Sequence, residues 1–212
     1  MELVQNKHVQ AISSILKTIG ERVEGNLICD INPDNYQIHR NLNKIKNLQY
    51  LCKDKRKIIE IGINACHSLL LMILVNPTAE YLLFDLNNHT YTVPTLDYIR
   101  ANFPDTKINA VFGDSCKTIH AFISMNPEQL NTYDLIHLDG GHTEDVFSQD
   151  YANSKKLATD SGIIIFDDYD LPNINKFINE KLRTKEIVEV DDKNIIKNDL
   201  HFIYSYANTP SA

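Results

Sequence analysis

The sequence has no tryptophan, only seven glycines and seven prolines in 212 residues, and four cysteines. No Pro/Gly/Ser-rich linker, low-complexity tract or internal repeat interrupts it, so collagen-like, solenoid and multi-domain architectures are excluded and residues 1–212 read as a single domain. Cys29, Cys52, Cys66 and Cys116 show no CxxC spacing and are too sparse to staple a secreted fold, which makes free thiols in a reducing compartment the expectation. Long apolar runs are also missing: none reaches the roughly 20 residues that span a bilayer. The opening Met1-Glu2-Leu3-Val4-Gln5-Asn6-Lys7 lacks the basic flank and apolar core of a secretion signal, so a cytoplasmic protein without a membrane partner is expected. Positive charge is short as well, with 21 Lys and Arg against 28 Asp and Glu for a net −7. Such a surface repels a polyphosphate backbone, and the one basic cluster, Lys53 to Lys57, reads as the solvated entrance to a strand.

What is present is alternation. Val9, Ile12, Ile15, Leu16 and Ile19 recur at helical spacing with Gly20 as a stop, which predicts an amphipathic helix over 3–19. After an irregular stretch containing Asn32-Pro33-Asp34, a second helix carries Ile38, Leu42, Ile45, Leu48 and Leu51 on one face. These two helices make an N-terminal cap over 1–54, ahead of a core over 55–207. Strands are predicted at 57–61, 81–85, 108–112, 134–138 and 162–166, as short apolar runs suited to a parallel sheet covered on both faces. Helical segments fall between them near 67–76, 94–102, 115–125 and 143–158. A helix around 173–183 then leads to strands at 186–190 and 200–206, joined by a polar loop short enough for a hairpin. The predicted fold is α/β, a doubly wound and mostly parallel seven-stranded sheet with an antiparallel strand in the edge region.

In such a sheet, ligands bind beyond the carboxyl ends of the strands. Those ends are acidic here: Glu60, Asp85, Asp114, Asp139 and the pair Asp167-Asp168. A single terminal Asp would be an ordinary helix cap, but five strands closing on carboxylates along one rim point to a site. The first turn, Glu60-Ile61-Gly62-Ile63-Asn64-Ala65-Cys66-His67-Ser68, leads from a glycine into a helix whose amides can face a ligand. It is not a dinucleotide fingerprint, because Asn64 stands where GxGxxG needs its second glycine. Asp85 follows about 20 residues on, where a carboxylate can accept both ribose hydroxyls.

These segments, together with Phe84-Asp85, Gly113-Asp114-Ser115 and Leu135-Ile-His-Leu-Asp-Gly-Gly-His142, resemble the ordered motifs of class I S-adenosylmethionine-dependent methyltransferases. The likeness is to small-molecule O-methyltransferases of the macrocin and catechol type, and it covers residues from about 55 to 207. It implies a Rossmann-like fold whose last strand inserts antiparallel beside the fifth. It implies S-adenosyl-L-methionine as cofactor, with Glu60, Gly62, Asn64, Ala65 and Ser68 around the methionine portion, Asp85 on the ribose, Asp114 and Ser115 beside the adenine, and Asp139 at the rim. Cys66 departs from the pattern, since many relatives have glycine there; a tighter loop or a shifted cofactor would be its consequence.

In metal-dependent relatives an Asp after the fourth strand and an acidic pair after the fifth bind a divalent ion, and Asp139 with Asp167 and Asp168 match that pattern. Hard carboxylate oxygens suit Mg²⁺ or another divalent cation and leave coordination positions for two substrate hydroxyls. His142, three residues past Asp139, is read as the general base, with metal ligation as its second role; its ordinary pKa near 6.5 suits proton removal near neutrality. Asp139 and Asp168 taken alone read equally well as caps or turn formers. His67, His89 and His137 read as structural, Cys66 and Cys116 as packing residues, and Tyr36, Arg40, Tyr91 and Tyr169 as loop residues that need no role.

The expected function is methyl transfer to a hydroxyl of a small polar acceptor. A sugar or sugar nucleotide is preferred because tryptophan is absent and the loops are rich in Asn. A catechol acceptor, a nucleic-acid acceptor (disfavoured by charge) and a non-catalytic cofactor-binding protein are the alternatives. The two N-terminal helices either cover the site or build a homodimer, and the sequence leaves both open.

Overall fold

The computed structural model of the chain describes residues 3–24, 37–168 and 171–207. Cys29, Tyr36, Tyr169, the Asn32-Pro33-Asp34 stretch and the side chain of Arg40 lie outside what is described.

Helix α1 (Lys7–Ile19) starts later than its apolar pattern, because Asn6 caps it by accepting from the His8 amide while Leu3–Gln5 form a 3₁₀ turn. It ends where expected, at a left-handed Gly20 whose amide donates to the Leu16 carbonyl. Helix α2 (Gln37–Cys52) completes the cap. The core then alternates: β1 (Lys57–Ile61), α3 (His67–Val75), β2 (Glu80–Asp85), α4 (Thr92–Asn102), β3 (Lys107–Phe112), α5 (Ser115–Met125), β4 (Tyr133–Leu138), α6 (Glu144–Leu157), β5 (Ala158–Phe166), α7 (Pro172–Arg183), β6 (Ile187–Glu189) and β7 (Phe202–Tyr206).

The seven strands pair in the order β3-β2-β1-β4-β5-β7-β6, parallel up to β5, with β7 antiparallel to both β5 and β6. The sheet is thus doubly wound from β1, and the crevice between β1 and β4, where strand order reverses, opens at their carboxyl ends. Period-two alternation sends Ile58, Tyr81, Leu83 and Leu135 to one face, under α1 to α4, and Ile59, Leu82, Phe84 and Ile136 to the other, under α5 to α7. Each fully buried Ile or Leu contributes about 2 kcal/mol by leaving water. On the cap side Ile12 and Leu48 are buried to 0% and 1% exposure, so α1 and α2 are part of the core rather than an appendage.

Two details of the sheet also depart from the sequence reading. β3 is an edge strand in which no residue is fully buried, because its outer side has no partner, whereas apolar composition suggested cover on both faces. β5 begins at Ala158 rather than Gly162: it pairs Ala158 with Tyr133, then shifts register so that Leu135 faces Ile163. Among the described residues no helix is long and apolar enough to cross a membrane.

Candidate active site

The glycine turn is built around one close approach. Gly62 has φ +86°, and a Cβ placed on it would stand 2.0 Å from the carbonyl oxygen of Asp139. Only glycine fits there. The Gly62 amide donates to the Phe84 carbonyl of β2 (2.8 Å) and the Asp139 amide to the Ile61 carbonyl (2.9 Å), so main-chain bonds tie the β1 turn to β2 on one side and to the β4 exit on the other. Asn64 and Cys66 continue the turn at φ +46° and +59°, Ala65 between them faces a cleft, and α3 follows with His67 and Ser68 facing the same cleft.

Asp85 closes β2 beside this turn and holds it. Its Oδ2 accepts from the amides of Ile63 (2.9 Å) and Asn64 (3.0 Å), and its Oδ1 from Asn87 (2.7 Å). Each carboxylate oxygen has two lone pairs, so Oδ1 retains capacity for a ribose hydroxyl. Asp114 N-caps α5 by accepting from the Cys116 amide, and the hydrogen bond from Lys117 holds its carboxyl below the usual range. Ser115 stands next to it on the cleft wall.

The acids of β4 and β5 gather at the far end of the same cleft, whose volume is about 900 Å³. There Asp139, Asp167 and Asp168 meet three cationic or basic side chains. Lys44 of α2 forms an ion pair with Asp167 Oδ2. His137 Nε2 lies 3.7 Å from that same oxygen, while its Nδ1 is 3.0 Å from Glu60 Oε1. His142 Nε2 is 2.7 Å from Asp168 Oδ2.

Burial raises the Asp139 carboxyl well above its ordinary range and Asp167 adds to the rise, while Lys44 and His137 oppose it. Asp167 goes the other way: burial would raise it, but Lys44 and His137 outweigh burial and hold it ionised. Lys44 is kept charged against desolvation by Asp167 and Asp139. His137 is pushed up to about 10, since Asp167 and Glu60 overcome its burial. The hydrogen bond to Asp168 raises His142.

The residues singled out from sequence thus divide. Gly62, Asn64, Ala65, Ser68, Asp85, Asp114, Ser115, Asp139, His142, Asp167 and Asp168 all line the one cleft. Glu60 does not; it is fully buried in β1, where Oε1 accepts from the Ser68 hydroxyl and faces His137. Its contact with a ligand would be made through Ser68. Cys66 is likewise turned away, with Sγ 3.5 Å from Thr95 Oγ1, so its side chain tightens the turn without entering the cleft.

Sequence reasoning missed Lys44 and the central position of His137. A signal for Lys44 existed, since it shares a helical stripe with Leu48 and Leu51, and it is buried alongside them, though less completely. It also missed Glu21 and Glu24, which tie the chain after α1 to the cleft mouth: Glu21 Oε1 is 2.7 Å from His89 Nδ1, and the Glu24 carbonyl accepts from Asn64.

Two trios of ligand atoms are close enough to share an ion, His137-Asp139-Asp167 and Asp139-His142-Asp168, each within 4.8 Å. The hard carboxylate oxygens of Asp139, Asp167 and Asp168 fit a divalent cation, whereas His137, paired with Asp167 and Glu60, keeps its protons and faces the cluster as a cation. The turn fits a cofactor as well: Gly62 leaves bare main chain where any side chain would fill the cradle.

A family model described as a methyltransferase domain matches residues 59–169, more than half of the chain, and the chain belongs to that family. The class I methyltransferase motifs read from the sequence fall inside the matched region. The fold is that of solved relatives. The O-methyltransferase TomG from Streptomyces achromogenes, solved in complex with SAM, superposes with a TM-score of 0.64 at 11% identity, over 97% of this chain and 91% of that one. Cofactor-bound Rv0187 from MTB gives 0.65 at 13% identity, over 99% and 94%. A methyltransferase from Geobacter sulfurreducens gives 0.60 at 10%, over 95% and 89%. No curated protein matches the sequence.

Proposed function

We propose that the protein transfers a methyl group from S-adenosylmethionine to a hydroxyl of a small polar acceptor, a sugar or sugar nucleotide by preference, with a divalent ion bound at the acidic rim. The observation that carries this reading is the placement of the glycine turn and the three rim aspartates in one cleft, with His142 between the rim and solvent. The neighbours that carry SAM or another cofactor support the donor.

When bound, S-adenosylmethionine supplies an electrophilic methyl on a sulfonium, and an ion such as Mg²⁺ supplies acidity and alignment to acceptor oxygens. The chain's own residues do the rest. Main chain from Gly62 to Ala65 and the Ser68 side chain would hold the donor's amino-acid end, Asp85 Oδ1, which already accepts from the Asn87 amide, would accept from the ribose, and Asp114 and Ser115 would flank the base. Asp139, Asp167 and Asp168 would hold the ion, and their negative potential also favours a cationic sulfonium. His142, half exposed at the mouth, donates from Nε2 to Asp168, which leaves Nδ1 to take the acceptor's hydroxyl proton while Asp168 steadies the imidazolium that forms. Asn41, Asn64, Asn88 and His89 give the cleft a hydrogen-bonding wall, which suits a polyhydroxylated acceptor.

Methyl transfer from labelled S-adenosylmethionine to a panel of sugar nucleotides, free sugars, catechols and RNA, with Mg²⁺ or EDTA, tests the reading. Label on a sugar hydroxyl that is lost in chelator is expected. Label on RNA or catechol alone overturns the acceptor class, and undiminished transfer in EDTA overturns the ion.

A further inference from the structure

We propose that Lys44 is a built-in rival of the divalent ion, an ammonium carried by the cap helix that claims Asp167 and so weakens metal binding at the rim. The inference rests on the metal reading given above. Lys44 sits on α2 with a side chain only 11% exposed, and its Nζ pairs with the Oδ2 of Asp167, itself 2% exposed. Packing does not explain it, because a methionine would fill the same stripe without taking an ammonium out of water.

The ammonium is also delivered firmly. One helical turn further along α2, Asn47 donates to the Ile196 carbonyl (2.7 Å), accepts from the Ile196 amide (2.8 Å) and contacts His201 Nε2 (2.9 Å). These three bonds clamp α2 to the loop before β7 and so fix the point from which Lys44 reaches Asp167. A second basic group shares the corner: the buried His137 sets Nε2 3.7 Å from the same Asp167 oxygen, so an incoming ion meets an imidazole as well as the ammonium.

A dication and an ammonium repel each other strongly at contact range in a partly buried site. An ion that uses Asp167 must therefore displace Lys44 or tolerate it, and either route costs affinity. The rim then takes up metal only when the ion is abundant, or when an acceptor adds its own oxygens as ligands.

The test is Mn²⁺ binding to the full chain, read by the electron paramagnetic resonance of free Mn²⁺, for wild type, Lys44→Met and Lys44→Arg. Lys44→Met should bind at least about tenfold more tightly than wild type, and Lys44→Arg, which keeps the charge, should remain as weak as wild type. Should Lys44→Met not fold, Lys44→Gln keeps a donor for Asp167 without the charge and carries the same expectation. Wild type that binds Mn²⁺ as tightly as the uncharged variant overturns the rivalry and leaves the metal reading standing. Absence of Mn²⁺ binding in every variant overturns both.

Discussion

The two ends of the cleft are stabilised in opposite ways. At the glycine turn nearly everything is main chain, and it is satisfied: Asp85 takes three amides, and Gly62 packs its bare Cα against the Asp139 carbonyl. At the acidic rim nearly everything is side chain and charge. Asp139, Asp167 and Asp168 are balanced by Lys44, His137 and His142. The first end is rigid because its geometry has no alternative; the second is poised because its charges are shared. Shape should break one, and charge the other.

The largest effect is expected at the junction. Gly62→Ala would force a Cβ to within 2.0 Å of a backbone oxygen, and neither strand can retreat from the sheet, so a loss of about 4 kcal/mol or more is expected, read as a collapse of the thermal unfolding midpoint. A variant that melts like wild type would show that the turn is not sterically locked.

Charge chemistry at the other end should spare stability and strike turnover. His142→Ala is expected to lower the methyl-transfer rate by about a hundredfold while leaving cofactor affinity unchanged by calorimetry, and a normal rate would remove His142 as base. Because the bond to Asp168 favours the protonated imidazole, His142 should titrate above the ordinary value of about 6.5 in an NMR pH series, placing the acid limb of the rate above that pH. Asp168→Asn removes that support and should move the titration back down. An unchanged titration would mean the ion pair does not set the proton affinity of the base.

The smallest effect sharpens the comparison. Cys66 pays about 1 kcal/mol to sit at φ +59°, yet its thiol fills a pocket against Thr95. In Cys66→Gly the relieved strain, the lost packing and the greater freedom of the unfolded chain nearly cancel, so a midpoint shift of only a few degrees is expected. A large drop would mean that this turn, too, depends on a side chain.

This division also explains what could be read from the sequence. The turn and the strand ends were legible because local rules govern them: apolar runs set the strands, a carboxylate closes each one, and Gly62 marks a conformation that other residues avoid. Asp139, His142, Asp167 and Asp168 were found for the same reason, each lying at a strand exit. The compensating charges were not, since Lys44 arrives from a helix outside the repeating pattern and the importance of His137 depends on what lies beside its strand. Glu60 misled in the reverse sense, because a carboxylate in a glycine motif looks exposed until the sheet closes over it. The open outer side of β3 was hidden too, as strand order is a property of the assembled sheet.

The bonds from Asn47 to Ile196 and His201 span 149 and 154 positions of the chain. A cleft closed by so distant a clasp is finished late: the lysine-bearing helix can pack on α3 as the parallel strands form, but its Asn47 clasp is completed only once the terminal hairpin has been synthesised and docked. Truncation before that hairpin should therefore leave a recognisable sheet with the cleft unclasped.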